Sequence, residues 1–193
     1  SVATGLDFTF NSVVVGKGAN SVAGNTVLGE GALDAAVTGG DNTAIGKNAL
    51  TTLTSGASNT AVGTSALQNM TTADDNSALG YFALASNTTG ASNTAVGEQA
   101  LYGNTTASNN TAVGRLALFS NTTGTGNVAV GTEAFRDNTT GSFSTALGSL
   151  ALFESTSGSG NTALGRRALQ ENTTAGNNTG AGIEALRYNT TGT

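Results

Sequence analysis

Small, apolar and polar residues follow one another along this chain in an order that returns every 17 residues from Asn25 to Thr193. Residues 93–109 show the pattern: Asn-Thr-Ala-Val-Gly, two variable residues, Ala-Leu, two more variable residues, then Asn-Thr-Thr and a small tail. With these positions numbered one to seventeen, the glycine of position five recurs ten times from Gly29 to Gly182. The alanine of position eight recurs ten times from Ala32 to Ala185, and neither slips in register. A period this short makes each copy one coil of a solenoid, stable only when stacked on its neighbours.

Positions one to five alternate in character and predict a short strand. One face carries threonine at position two and Leu28, Ile45, Val62, Leu79 and Val96 at position four. The other carries alanine at position three and the glycine. Both faces read as buried, and the small one as a place where another backbone comes close. Positions six to eleven read as one helical or 3₁₀ turn with Ala-Leu pointing inward; a fully extended loop is the competing reading. Asparagine at position twelve, as in Asn87 and Asn121, suits a left-handed residue ending that turn. The expected fold is a β-solenoid (β-roll-like) of 17-residue coils, each one short strand plus a short helical turn.

The first 24 residues do not obey the rule. Leu6, Phe8 and Phe10 alternate with Asp7 and Thr9, as in a half-buried strand, and residues 11–16 resemble the opening of a repeat. Only 13 residues separate Gly16 from Gly29. Two regions follow: 1–24, a lead-in strand and irregular coil, and 25–193, a ten-coil solenoid.

Charge checks the inside and outside assignment. Of the seventeen charged residues after Asn25, fourteen occupy positions six, seven, ten or eleven, and the other three, Asp41, Asp74 and Asp75, lie in the return loop. Positions one to five, eight, nine and twelve to fifteen carry none, as the desolvation cost of an unpaired charge requires of enclosed sites. The enclosed set is nevertheless thin. Ordering a residue costs roughly 1–2 kcal/mol of backbone entropy, whereas a buried aliphatic returns about 1.5–3 kcal/mol, and each coil has about two. Partner chains are therefore expected to complete the fold, along the small face formed by Ala44, Ala61, Ala78, Ala95, Ala112, Ala129, Ala146 and Ala163.

The phrase Asn110-Thr-Ala-Val-Gly114 with Ala117-Leu118 and Asn121-Thr-Thr-Gly124 resembles repeats of bacteriophage tail fibres, a likeness that covers residues 25–193. Residues 11–33, opening Ser12-Val-Val-Val-Gly-Lys-Gly-Ala, look like the head repeats of YadA-like trimeric autotransporter adhesins. That family's coils run to about 14 residues, three fewer than here. The resemblance implies a homotrimeric, extracellular fibre built as a left-handed β-roll, and it transfers no catalytic residue.

The chemistry available is sparse. With no histidine and no cysteine, the usual general base, the thiol nucleophile and most transition-metal ligands are missing, and no catalytic residue, metal site or cofactor is expected. Asp41, Asp74 and Asp75 could at most hold Ca²⁺ weakly through loop oxygens, and six Asn-Thr-Thr triplets match the glycosylation pattern. A net charge of -5 without basic clusters gives no footprint for nucleic acid, and no apolar run is long enough to span a membrane. Tyr102, Leu116, Phe119, Leu150 and Phe153 stand at outward positions seven and ten and form a candidate contact stripe for fibre packing or for a cell-surface glycan. An ice-binding plane is disfavoured because the paired threonines at thirteen and fourteen would point opposite ways. The function expected is a structural or adhesive shaft of an extracellular fibre of the tail-fibre kind. The alternative is a surface filament whose subunits stack end to end.

Overall fold

The computed structural model describes residues 7–190 and 192. Twelve strands form one sheet in chain order. They are β1 (Phe8–Phe10), β2 (Val13–Gly16), β3 (Thr26–Gly29), β4 (Thr43–Ile45), β5 (Thr60–Val62), β6 (Ser77–Leu79), β7 (Thr94–Val96), β8 (Thr111–Val113), β9 (Val128–Val130), β10 (Thr145–Leu147), β11 (Thr162–Leu164) and β12 (Thr179–Ala181). From β3 to β12 all neighbours are parallel and every residue meets its counterpart 17 positions on, Ala95 against Ala112 for example. The ten parallel strands bound nine turns of a β-solenoid.

The amino end differs from the expected coil. Asn11 and Ser12, both with positive φ, make the two-residue turn of a hairpin, and β2 runs antiparallel to both β1 and β3. β1 is exposed along its length rather than half-buried, because it lies outside the stack of coils. Leu6 falls outside the described residues. Asp7 holds the hairpin's base: its two carboxylate oxygens accept the N–H groups of Lys17 and Gly18 at 2.6 and 2.8 Å.

No helix occurs among the described residues, which corrects the helical reading of positions six to eleven. Two successive β-turns take its place. Ala49 N–H donates to the Gly46 carbonyl and Leu53 N–H to the Leu50 carbonyl, each at 3.3 Å. Asn48 inside the first turn and Leu50 at the start of the second have φ of 58° and 52°, and positions seven and nine repeat this in every coil. The N–H groups a helix would use internally go to neighbouring coils instead: Asn48 donates to Glu30 and Leu50 to Ala66. Left-handed leucine costs on the order of 1–2 kcal/mol, and only a residue already sealed into a stack would be held there.

Position twelve is not left-handed. Asn87, Asn104, Asn121 and Asn138 are sealed inside the coil and form a ladder in which the side-chain amides of Asn104, Asn121 and Asn138 each donate to the amide oxygen of the asparagine one coil earlier, at 2.7–3.0 Å. The asparagines of position one form a second ladder, with Asn110 N–H donating to Asn93 Oδ1 and Asn127 N–H to Asn110 Oδ1 at 3.0 Å. Both ladders grip the same backbone: the Gly124 carbonyl accepts from Asn110 and Asn121. Buried amides are costly unless saturated, and here the repeat saturates them. At position five, glycine is required because a Cβ on Gly63 would lie 2.4 Å from the Gly80 carbonyl oxygen. The close backbone is thus the next coil of the same chain.

The alanines of positions three and eight and the leucine of position nine make one continuous core along the rod, with Phe135 replacing leucine once. Ala44, Ala61, Ala78, Ala95, Ala112, Ala129, Ala146 and Ala163 belong to it, at most 1% exposed within a single chain. They have no surface left to give a partner, so the expectation that they face other chains is corrected. The strand is inverted relative to the usual arrangement: its small side chains point in because two asparagine columns already occupy the narrow interior.

Candidate functional site

The outward face of the sheet is formed by positions two and four. Pairing aligns position four into one unbroken apolar column. Phe8 lies opposite Val15 and Val15 opposite Leu28, and the line continues through Ile45, Val62 and Leu79 to Leu164 and Ala181. A second line of threonines runs beside it, broken by Ser77 and Val128. No charged side chain stands at either position. Leu79 is 51% exposed, and Leu28, Val130, Leu147 and Leu164 also leave more than a third of their surface uncovered. The reading of both strand faces as buried is therefore corrected, since the larger aliphatics lie outside the chain's own core.

The sequence-level contact stripe is folded differently from a row of free knobs. Residues at one position in successive coils are about one strand spacing apart, ~4.8 Å, so large rings there meet each other. Tyr102 and Phe119 stack with centroids 5.3 Å apart at 9°, and Phe82 and Tyr81, which the sequence reading passed over, extend the cluster edge to face. Phe153 lies under the Arg136 guanidinium, 3.9 Å from its centroid. Leu116 and Leu150 occupy left-handed position seven. All five stripe residues are half-buried, with Tyr102 and Phe119 brought together and Phe153 in a separate contact.

Charged positions six, seven, ten and eleven pair between coils on the rod's surface: Lys47 with Glu30 at 3.2 Å, Arg115 with Glu133 at 3.2 Å, and Arg167 with Glu184 at 3.3 Å. Arg136 is held above its already high pKa by its side-chain hydrogen bond to Asp137. Such exposed pairs contribute little to stability and align neighbouring coils.

Asp74 Oδ1 accepts Ala57 N–H at 2.8 Å, and no group of three or more acidic, histidine or cysteine side chains suited to a metal stands among the described residues. Of the six Asn-Thr-Thr asparagines, Asn87, Asn104, Asn121, Asn138 and Asn172 are sealed in the folded coil and Asn189 is half-buried. The threonine hydroxyls of position thirteen are spent on the next coil at the rod's surface, as when Thr122 donates to the Thr139 carbonyl at 2.9 Å. A cleft of about 260 Å³ between the hairpin and the first coil is lined by Asp7, Thr9, Val14, Leu33 and Asp34, but Asp7 is already occupied by backbone donors. Among the described residues no helix is long and apolar enough to cross a membrane. No protein-family model, curated protein or solved structure matches the chain.

What the geometry offers chemically is one long, uncharged, apolar sheet face. The alanine side of the strand, which the sequence suggested for partner chains, is the enclosed one. Parity was the available signal, because Phe8 and Phe10 at one end and the bulky residue of every coil share the face opposite the alanines.

Proposed function

We propose that the chain is a non-catalytic shaft of an extracellular fibre of the bacteriophage tail-fibre kind. In this reading it is homotrimeric, with the outward face of the sheet turned toward the fibre axis and covered by the same face of two other copies. The observation that carries this reading is the position-four column. It runs the whole length of the sheet, roughly 50 Å at ~4.8 Å per strand, without a charge and without cover. The uncovered surface of its large residues is on the order of 800 Å² per copy, about half of it to each of two neighbours and in sum what one standard interface buries on a partner. A second copy is the occupant whose length and period match that face. The lack of a charged residue removes the usual device by which an exposed sheet avoids association.

The test is Val113→Asp with Leu79→Asp, followed by mass and circular dichroism. The reading expects dissociation to folded monomers, because both side chains lie outside the chain's own core. A monomeric parent would contradict it, and thermal hysteresis in that monomer would assign the threonine and valine lines to ice instead. A second reading is end-to-end stacking of the same solenoid into filaments. Electron micrographs of negatively stained protein separate the two: short rods of one length for the shaft, long filaments for stacking.

A further inference from the structure

A trimer built on a repeating column has an alignment problem. From β3 to β12 the column reads Leu, Ile, Val, Leu, Val, Val, Val, Leu, Leu, Ala, so sliding one copy by a single coil sets aliphatic against aliphatic and forfeits one rung. Neighbouring alignments are nearly equal in contact, the situation in which sheets slip.

One place along the face is unlike the rest. On the hairpin, Phe8 pairs with Val15 and Phe10 with Val13, and all four side chains lie on the outward side, Phe10 65% exposed and Phe8 55%. The opposite side of the hairpin is fixed, since Val14 packs on the core and Asp7 binds the N–H groups of Lys17 and Gly18. The patch is therefore a preorganised surface in line with the column. Its two phenylalanines leave on the order of 200 Å² uncovered per copy, more than the position-four residue of any single coil offers.

We propose that the β1–β2 hairpin is a register clasp. It brings the Phe8 and Phe10 rings of three copies together only when all copies are aligned and point the same way, and it thereby selects one alignment among the near-equal ones. This inference rests on the trimeric reading above. It names the part of that surface which sets alignment rather than affinity.

The chain has no cysteine, so introduced thiols are unique probes. Copies carrying Val96→Cys are refolded one to one with copies carrying Val113→Cys, one coil away, and separately with copies carrying Val130→Cys, two coils away; mild oxidation then traps neighbours. A disulfide needs its Cβ atoms about 3.5–4.5 Å apart, so like-with-like links report alignment and mixed links report slippage. With the native hairpin, like-with-like links should dominate. With Phe8→Ser and Phe10→Ser added, mixed links should rise several-fold while the trimer mass and the circular dichroism stay unchanged, and Phe8→Leu with Phe10→Leu should restore alignment. An unchanged link pattern in a trimeric serine variant would overturn the clasp and leave the trimer standing. A serine variant that falls to monomers would overturn it too, by making the hairpin the main adhesive. A monomeric parent, seen by light scattering before any oxidation, would remove both proposals.

Discussion

Positions three and four of each strand are adjacent in sequence and opposite in fate. Ala112 is completely buried, while Val113 beside it is partly exposed, and Ala146 and Leu147 repeat the contrast. Ordinary globular strands put the larger side chain inside, where its burial is worth most. Here the interior is filled by backbone, by two saturated asparagine ladders and by leucine from the turns, so only a methyl group fits. Within each strand, then, the small residue goes to the chain's own core and the large one faces out, which is the division of labour expected when the outward residues belong to an assembly.

The widest separation between the two faces should come from a matched charge. Ala112→Asp places an unpaired carboxylate in the sealed core and is expected to cost more than about 4 kcal/mol, so urea should unfold it well below the parent or find it unfolded already. Val113→Asp should leave the fold intact. Next in size is matched bulk: Ala112→Leu should destabilise by about 1–3 kcal/mol through overpacking, and Val113→Leu should shift the urea midpoint hardly at all.

The asparagine ladder sharpens the account of why the interior is so narrow. Asn121 donates to Asn104 and accepts from Asn138, so Asn121→Ala should cost about 2–3 kcal/mol by leaving buried partners unsatisfied. The same column carries its own defect at Ser155, whose hydroxyl is buried without a partner. It lies between Asn138 and Asn172, and the Asn172 side-chain amide donates to the Ala175 carbonyl but not to Ser155. Ser155→Asn should complete the ladder and raise stability by about 1 kcal/mol, a few degrees in a melting scan. The smallest effect belongs to the rod's charged surface, where Lys47→Met should change stability by no more than about 0.5 kcal/mol.

Much of this architecture was legible beforehand. The period gave the coil and the in-register parallel pairing, and the charges marked the turn surface correctly at Glu30, Lys47, Arg115 and Arg167. Three things were not legible, each for a physical reason. Ala-Leu between variable residues fits a helical turn as well as it fits two β-turns, and the choice was made by N–H groups bonding to neighbouring coils. Asn87 and Asn121 looked like left-handed stops because asparagine tolerates that conformation; stacking at one strand spacing let their amides bond to each other instead. The outward column was missed because position three and position four are both uncharged, and only the closing of the coil decides which of them is enclosed. The Tyr102–Phe119 stack has the same origin, since stacking is a property of neighbouring coils rather than of either residue alone.

Sedimentation equilibrium at micromolar concentration tests the central claim most directly, namely that the column from Phe8 to Leu164 is covered by other copies of the chain. The account predicts a species three times the 18.8 kDa chain mass that loses subunits, without losing its circular dichroism, when Leu79 and Val113 become aspartate. A folded species of 18.8 kDa whose outward face stays wet under those conditions would contradict it.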